Sequence, residues 1–199
     1  RECAERIRKY TNYIEKKKLE VATERQEELD SLNEMYCNVQ QDIDTAMHFD
    51  RRLFEKTRED EDFLHIYLGQ GTIASSRPID YKKQERLEVG DELTEMPEKI
   101  YQLFEHIDGA PICSDMKDSN AIGIVGTKEA LYGMFKNIVI DIAVRHYYGD
   151  VRLYMLVDDE KRYQWARFLP HLMNAGGIRN IVFDNESKNN IFESLFREL

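Results

Sequence analysis

No stretch of this 199-residue sequence stays apolar for the roughly 18 to 20 residues needed to span a bilayer, so no transmembrane helix is expected within it. No signal peptide opens the chain, which begins on Arg1 rather than Met; the expectation is a piece excised from something longer. Cysteine is scarce, odd in number and widely spaced (Cys3, Cys37, Cys113), without a CxxC pair. That excludes a disulfide framework and favours a reducing compartment. Positive charge is in deficit, the net charge being −10, which argues against nucleic acid as a partner because counterion-release affinity needs a basic surface. No GxSxG occurs, and the five histidines (His48, His65, His106, His146, His171) show no HxxxH or Cys/His grouping of metal-ligand spacing. His171, directly after Pro170, reads as a structural group at a helix bend.

What is present is a central run from Asn120 to Asp159. Ala121 to Val125 is short, apolar and rich in β-branched residues, which predicts a buried strand. Lys128 to His146 places Ala130, Leu131, Met134, Phe135, Ile138, Val139, Ile142 and Ala143 at helical spacing. Gly149-Asp150 turns the chain, and Val151 to Val157 predicts a second buried strand. Strand, helix, strand makes a βαβ unit of a parallel sheet. A phosphate-binding loop would sit at the first turn, where helix amides and the dipole attract anions. The functional spacing requires Gly, four residues, Gly-Lys and then Ser or Thr. Lys128 is there, but Ile122, Thr127 and Glu129 stand where the two glycines and the hydroxyl belong. A carboxylate at Glu129 repels phosphate, so the turn reads as inactive, with Glu129 placed favourably in a first helical turn. Asp158-Asp159-Glu160 after the second strand resembles a magnesium-holding strand end, although acids often follow any central strand.

Arg1 to about Tyr36 reads as one long helix without glycine or proline. Cys3, Ile7, Tyr10, Ile14 and Val21 form an a/d-like stripe that Lys17, Glu24 and Glu28 then interrupt. The stripe is expected to lie on the chain's own second helix or on a neighbouring copy. The first 18 residues hold seven basic residues against three acidic. They fit either a solvated helix face or a segment just inside a membrane. Asn38 and Gln41 suggest a capping box opening a second helix to about Phe49. Beyond it the pattern predicts a strand from Phe63 to Leu68 closed by Gly69-Gln70-Gly71, and an edge strand over Thr72 to Ile79. A polar loop over Lys82 to Glu95 and a helix from Pro97 to His106 follow, then a turn at Asp108-Gly109 and a short strand Pro111 to Ser114. Lys161 to about Leu172 reads as a helix bent by Pro170, Arg179 to Phe183 as a strand, and the remainder as a helix capped by Asn185 or Ser187. The alternation after residue 96 implies a doubly wound, mostly parallel α/β layer. The expected domains are a helical stalk over 1–50 and an α/β domain over 51–199.

Several stretches together resemble one family. Arg52-Leu53-Phe54-Glu55-Lys56, followed by Asp62-Phe63-Leu64 and Gly69, resembles the "RLWER…DFL-x-x-x-x-G" segment of type VII secretion ATPases. These are the EssC/EccC proteins, membrane-anchored relatives of FtsK and SpoIIIE. Gly123-Ile-Val-Gly126 fits as well, and Trp165-Ala-Arg-Phe168-Leu169-Pro170-His171 is similar to the family's "W-x-x-x-L-P-H". Where many members carry a proline-containing break, this chain reads Tyr36-Cys37-Asn38. The resemblance implies a P-loop-ATPase-like domain without intact nucleotide motifs, between the membrane region and the first ATPase module, on the cytoplasmic side. It implies no catalytic residue and no cofactor. The partners it implies are downstream ATPase modules and other membrane secretion components, with an oligomer in the full-length protein. Arg51 and Arg52 are candidate interface anchors; Trp165 is either another or a core residue. Two other readings stay open: a degenerate module in which Lys128 and Asp158 still engage phosphate and magnesium, and a binding module for secreted helical-hairpin substrates.

Overall fold

The computed structural model describes residues 2–82, 92–119 and 121–198. They form two compact units. The first comprises residues 1–38 and 67–113, the second 39–66 and 114–199.

In the first unit, helix α1 runs from Glu2 to Met35, as the absence of glycine and proline predicts. Its partner within the unit is helix α3 (Glu92–Phe104). Of the expected stripe only Ile14 is buried; Ile7 and Tyr10 are exposed. The helix is anchored instead by Arg25 and Glu28, both more than nine-tenths buried. Arg25 donates from Nε to the Phe104 carbonyl at 2.7 Å and from Nη2 to the Arg77 carbonyl at 2.8 Å. Glu28 accepts from the hydroxyls of Ser75 and Ser76, each at 2.6 Å, and from the Ser76 amide at 2.7 Å. Of the charged residues that break the heptad pattern, Glu28 thus holds the helix, while Lys17 and Glu24 are exposed. The break at Tyr36–Asn38 occurs without proline.

Strands β1 (His65–Ala74) and β2 (His106–Asp115) pair in a small antiparallel sheet. β1 runs through Gly69 and Gly71, expected to close it, and β2 through Gly109, expected to turn the chain before it. A side chain at Gly71 would meet Ile112 at 3.1 Å, so this glycine permits close packing. Gly109 takes a left-handed φ of +72° inside β2, a conformation glycine adopts without strain. β1 stops at Ala74, short of the expected edge strand to Ile79. Of the expected loop over Lys82 to Glu95, residues 83–91 lie outside the described residues, and α3 already begins at Glu92, so Pro97 falls within the helix.

In the second unit, helix α2 (Val39–His48) packs on helix α4 (Lys128–Arg145). The apolar periodicity of α4 is borne out, and many of its last residues are buried. Strands β3 (Met155–Leu156) and β4 (Ile181–Val182) form a parallel pair in the register Met155–Ile181. Met155, Ala166, Leu172 and Ile181 make the core, flanked by Phe135, Tyr163, Trp165 and Leu169. The expected helix over Lys161 to Leu172 is two short 3-10 turns, Gln164–Phe168 and Pro170–Leu172, because Pro170 has no amide to continue a helix. The last helix, α5 (Asn185–Glu198), is capped by Asp184, whose carboxylate accepts the Ser187 amide at 2.7 Å.

The architecture is mixed α/β, but the described residues form two separate two-stranded sheets rather than one doubly wound layer. Ala121–Val125 is not a strand, and Val125 is 99% exposed; Asn120 lies outside the described residues. An apolar run becomes a strand only where another strand completes its ladder. Here β3 takes β4 as its neighbour, and none of the described residues takes up 121–125.

Candidate functional site

Helix α4 organises two clusters, one at each end. At its start Thr127 is the cap, its hydroxyl accepting the Ala130 amide at 3.3 Å, so the oxygen is committed to the helix. Lys128 and Asp158, the pair that sequence reasoning singled out, are brought together at 3.4 Å. Both side chains are about two-thirds exposed, so the pair is a solvated surface contact in which each charge offsets the other.

The far end of α4 is different in kind. Arg145 is 3% exposed and Asp42, on α2, is fully buried. Arg145 Nη1 lies 3.8 Å from Asp42 Oδ1, and Nη2 contacts the Glu55 carboxylate. Arg52, half-buried, reaches the same carboxylate from Nε at 3.2 Å. Lys56 pairs with Asp62. The next residue, His146, is fully buried, and its Nε2 accepts the Leu64 amide at 3.0 Å, which places the proton on Nδ1. His171, also fully buried, donates from Nε2 to the His146 carbonyl at 2.8 Å. Phe54 sits against Tyr147, Tyr148 and His171, with ring centroids 5.8 to 6.1 Å apart. Its backbone is forced to φ +58°, a strained conformation for a bulky residue, and its amide is tied to the Val144 carbonyl at 2.7 Å. Three parts remote in sequence, residues 52–56, residues 62–64 and His171, thus converge on one helix end.

Burial dominates the electrostatics. It raises Asp42 to about 6, against the opposing pull of Arg145. Neither Asp42 oxygen makes a hydrogen bond among the described residues. Burial lowers His146 to about 4 and lowers His171 as well. The two shifts act oppositely on stability. Asp42, raised from 3.8, favours the folded state when protonated, so its contribution declines as pH rises from about 4 through 6. His146, lowered from 6.5, favours the folded state when neutral, so its contribution grows as pH rises from about 4 to 6.5. In the native chain these effects largely cancel. The Asp42→Asn variant should leave the histidine slope exposed, with stability rising by on the order of 3 kcal/mol across that window. Urea unfolding at stepped pH measures it; a slope unchanged from the native chain would show that Asp42 does not titrate as argued.

Sequence reasoning missed Asp42, Arg145 and His146. The available signal was a polar pair, Arg145-His146, following the apolar run Ile138 to Val144 that Asp141 alone interrupts. Of the expected interface residues, Arg51 is exposed in a turn, while Arg52 is committed to Glu55. Trp165 packs on the core, and Lys136 Nζ lies 5.8 Å from its ring centroid. Among the described residues no group of three or more His, Cys, Asp or Glu is placed to hold a metal, and no helix is long and apolar enough to cross a membrane.

No family model matches the chain. Over 98% of its residues it is 27% identical to type VII secretion system protein EssC of Staphylococcus aureus, in strains MSSA476 and NCTC 8325 alike. It is 26% identical over the same share to ESX secretion system protein EccC of Geobacillus thermodenitrificans. The chain spans 13% of the length of each of these relatives. Nearly end to end, then, this sequence is similar to one segment of the type VII secretion proteins EssC and EccC.

Proposed function

We propose that this segment is a non-catalytic coupling module of a membrane-anchored type VII secretion motor. It lies on the cytoplasmic side, with α1 as the stalk toward the membrane region and the α/β body against downstream ATPase modules and other secretion components. The observation that carries this reading is the convergence at the end of α4. Buried ion pairs, two buried histidines and a strained Phe54 fix three segments in one arrangement, which suits a part that transmits displacement as a rigid body. The order Lys128, helix, β3, Asp158 fits a P-loop-ATPase-like ancestry of doubly wound type. Thr127 engaged as a cap and Lys128 neutralised by Asp158 fit the loss of nucleotide chemistry. That same contact also supports a second reading, a degenerate site where phosphate and magnesium displace the ion pair.

The test is a Gly-Ser insertion after Lys18, in the exposed first half of α1, within an intact secretion protein carrying this segment. A flexible interruption of the stalk should stop export while ATP hydrolysis by the purified protein continues. Export that survives the insertion contradicts coupling through α1.

A further inference from the structure

The second unit carries an opening that neither α4 cluster uses. A pocket of about 160 Å³ lies between the first 3-10 turn, the 178–183 segment and the start of α5, walled by Tyr163, Ile178, Ile181, Phe183 and Ile191. Beside it runs a shallower cleft lined by Trp165 and Phe168, and Arg167 and Arg179 border both. Phe168 is 84% exposed, and Ile178 and Phe183 are about two-fifths exposed, so the apolar rim stands open to solvent. Arg167 is already engaged, Nη1 lying 3.5 Å from Glu160. Arg179 is not: its Nη1 is buried without a hydrogen-bond partner among the described residues. No ion pair or side-chain hydrogen bond holds the rest of its guanidinium among the described residues, and a carboxylate fits that planar fork.

We infer that this opening is a docking surface for a peptide segment in which a carboxylate adjoins a large apolar side chain. The apolar side chain enters the pocket, and the carboxylate meets Arg179. Local charge complementarity selects this occupant: Arg179, unpaired, borders an apolar pocket whose other arginine is held by Glu160. A polyphosphate or nucleic acid is disfavoured because the walls are largely apolar and offer, beyond the paired Arg167, one arginine alone.

Trp165 is the single tryptophan and lines the cleft, so its fluorescence reports occupancy directly. The probe is a capped pentapeptide with a central phenylalanine flanked by glutamates, set against the same peptide flanked by lysines. The whole chain should show a saturable change with the acidic peptide. The lysine peptide, and the acidic peptide on Arg179→Gln, should bind roughly tenfold or more weakly, as expected for loss of a charge-assisted hydrogen bond. Should Arg179→Gln fail to fold, Ile178→Asp at the half-exposed rim should give the same loss. No saturable change at millimolar peptide overturns the inference. So does an equal response to the lysine peptide, or a stronger one to MgATP or single-stranded RNA.

Discussion

Arg145→Ala is expected to destabilise the second unit by about 3–5 kcal/mol, because it strips the counter-charge from a fully buried carboxylate. The cost does not come from the strength of the Arg145–Asp42 contact, which at 3.8 Å is long. It comes from what is left behind: Asp42 at 0% exposure with neither oxygen hydrogen-bonded. Glu55 suffers less, since Arg52 still reaches it. This separation makes the prediction specific. Adding Asp42→Asn to Arg145→Ala should recover a large part of the loss, whereas adding Glu55→Gln should recover little. Urea unfolding of the four chains measures this directly. A single-variant loss below about 1 kcal/mol would mean that the cluster is solvated and does not fix the three segments.

Glu28→Ala is the second large effect expected. Burial alone would raise the Glu28 carboxyl, but hydrogen bonds from Ser75 and Ser76 and the charge of Arg25 outweigh it and hold it below its ordinary value. Such a group stabilises the fold above the ordinary carboxylate range, and the contribution is lost as pH falls through the depressed value. Removing it leaves two hydroxyls and the Ser76 amide without their acceptor, and Arg25 without its neighbour. The expected cost is about 2–4 kcal/mol at neutral pH. Glu28→Gln should cost less, since one side-chain oxygen still accepts. Hydrogen exchange at the Ser76 amide gives the local readout: it should accelerate in Glu28→Ala and stay slow in a control at exposed Glu24. Unchanged protection would show that the 75–77 segment is held by something else.

These two clusters mark where the sequence was legible and where it was not. Helices α1, α4 and α5 announce themselves through absent glycine and proline, apolar spacing and a polar cap, all local signals. The strands do not. Ala121–Val125 has every local mark of a strand, yet a ladder needs a neighbour far along the chain, and periodicity carries no information about that neighbour. Gly71 and Gly109 mislead as well, since a glycine that admits close packing, or one that takes a left-handed φ within a strand, looks like one that turns the chain. Asp42, Glu55 and Arg145 are separated by 13 to 103 residues, and nothing in their spacing pairs them. Glu24 and Glu28 read alike as seam-breaking charges; only the structure distinguishes the exposed one from the buried one. Lys128 and Asp158 were legible because a helix followed by a returning strand brings the strand's end beside the helix's start.

The central claim is that this segment couples parts of a secretion machine without using nucleotide itself. Isothermal calorimetry of the whole chain with MgATP, repeated on Lys128→Ala, tests it most directly. The account predicts no detectable heat at millimolar nucleotide for either chain, the Lys128–Asp158 contact remaining a surface ion pair. Micromolar binding that disappears in Lys128→Ala would contradict it and make the start of α4 a working phosphate site.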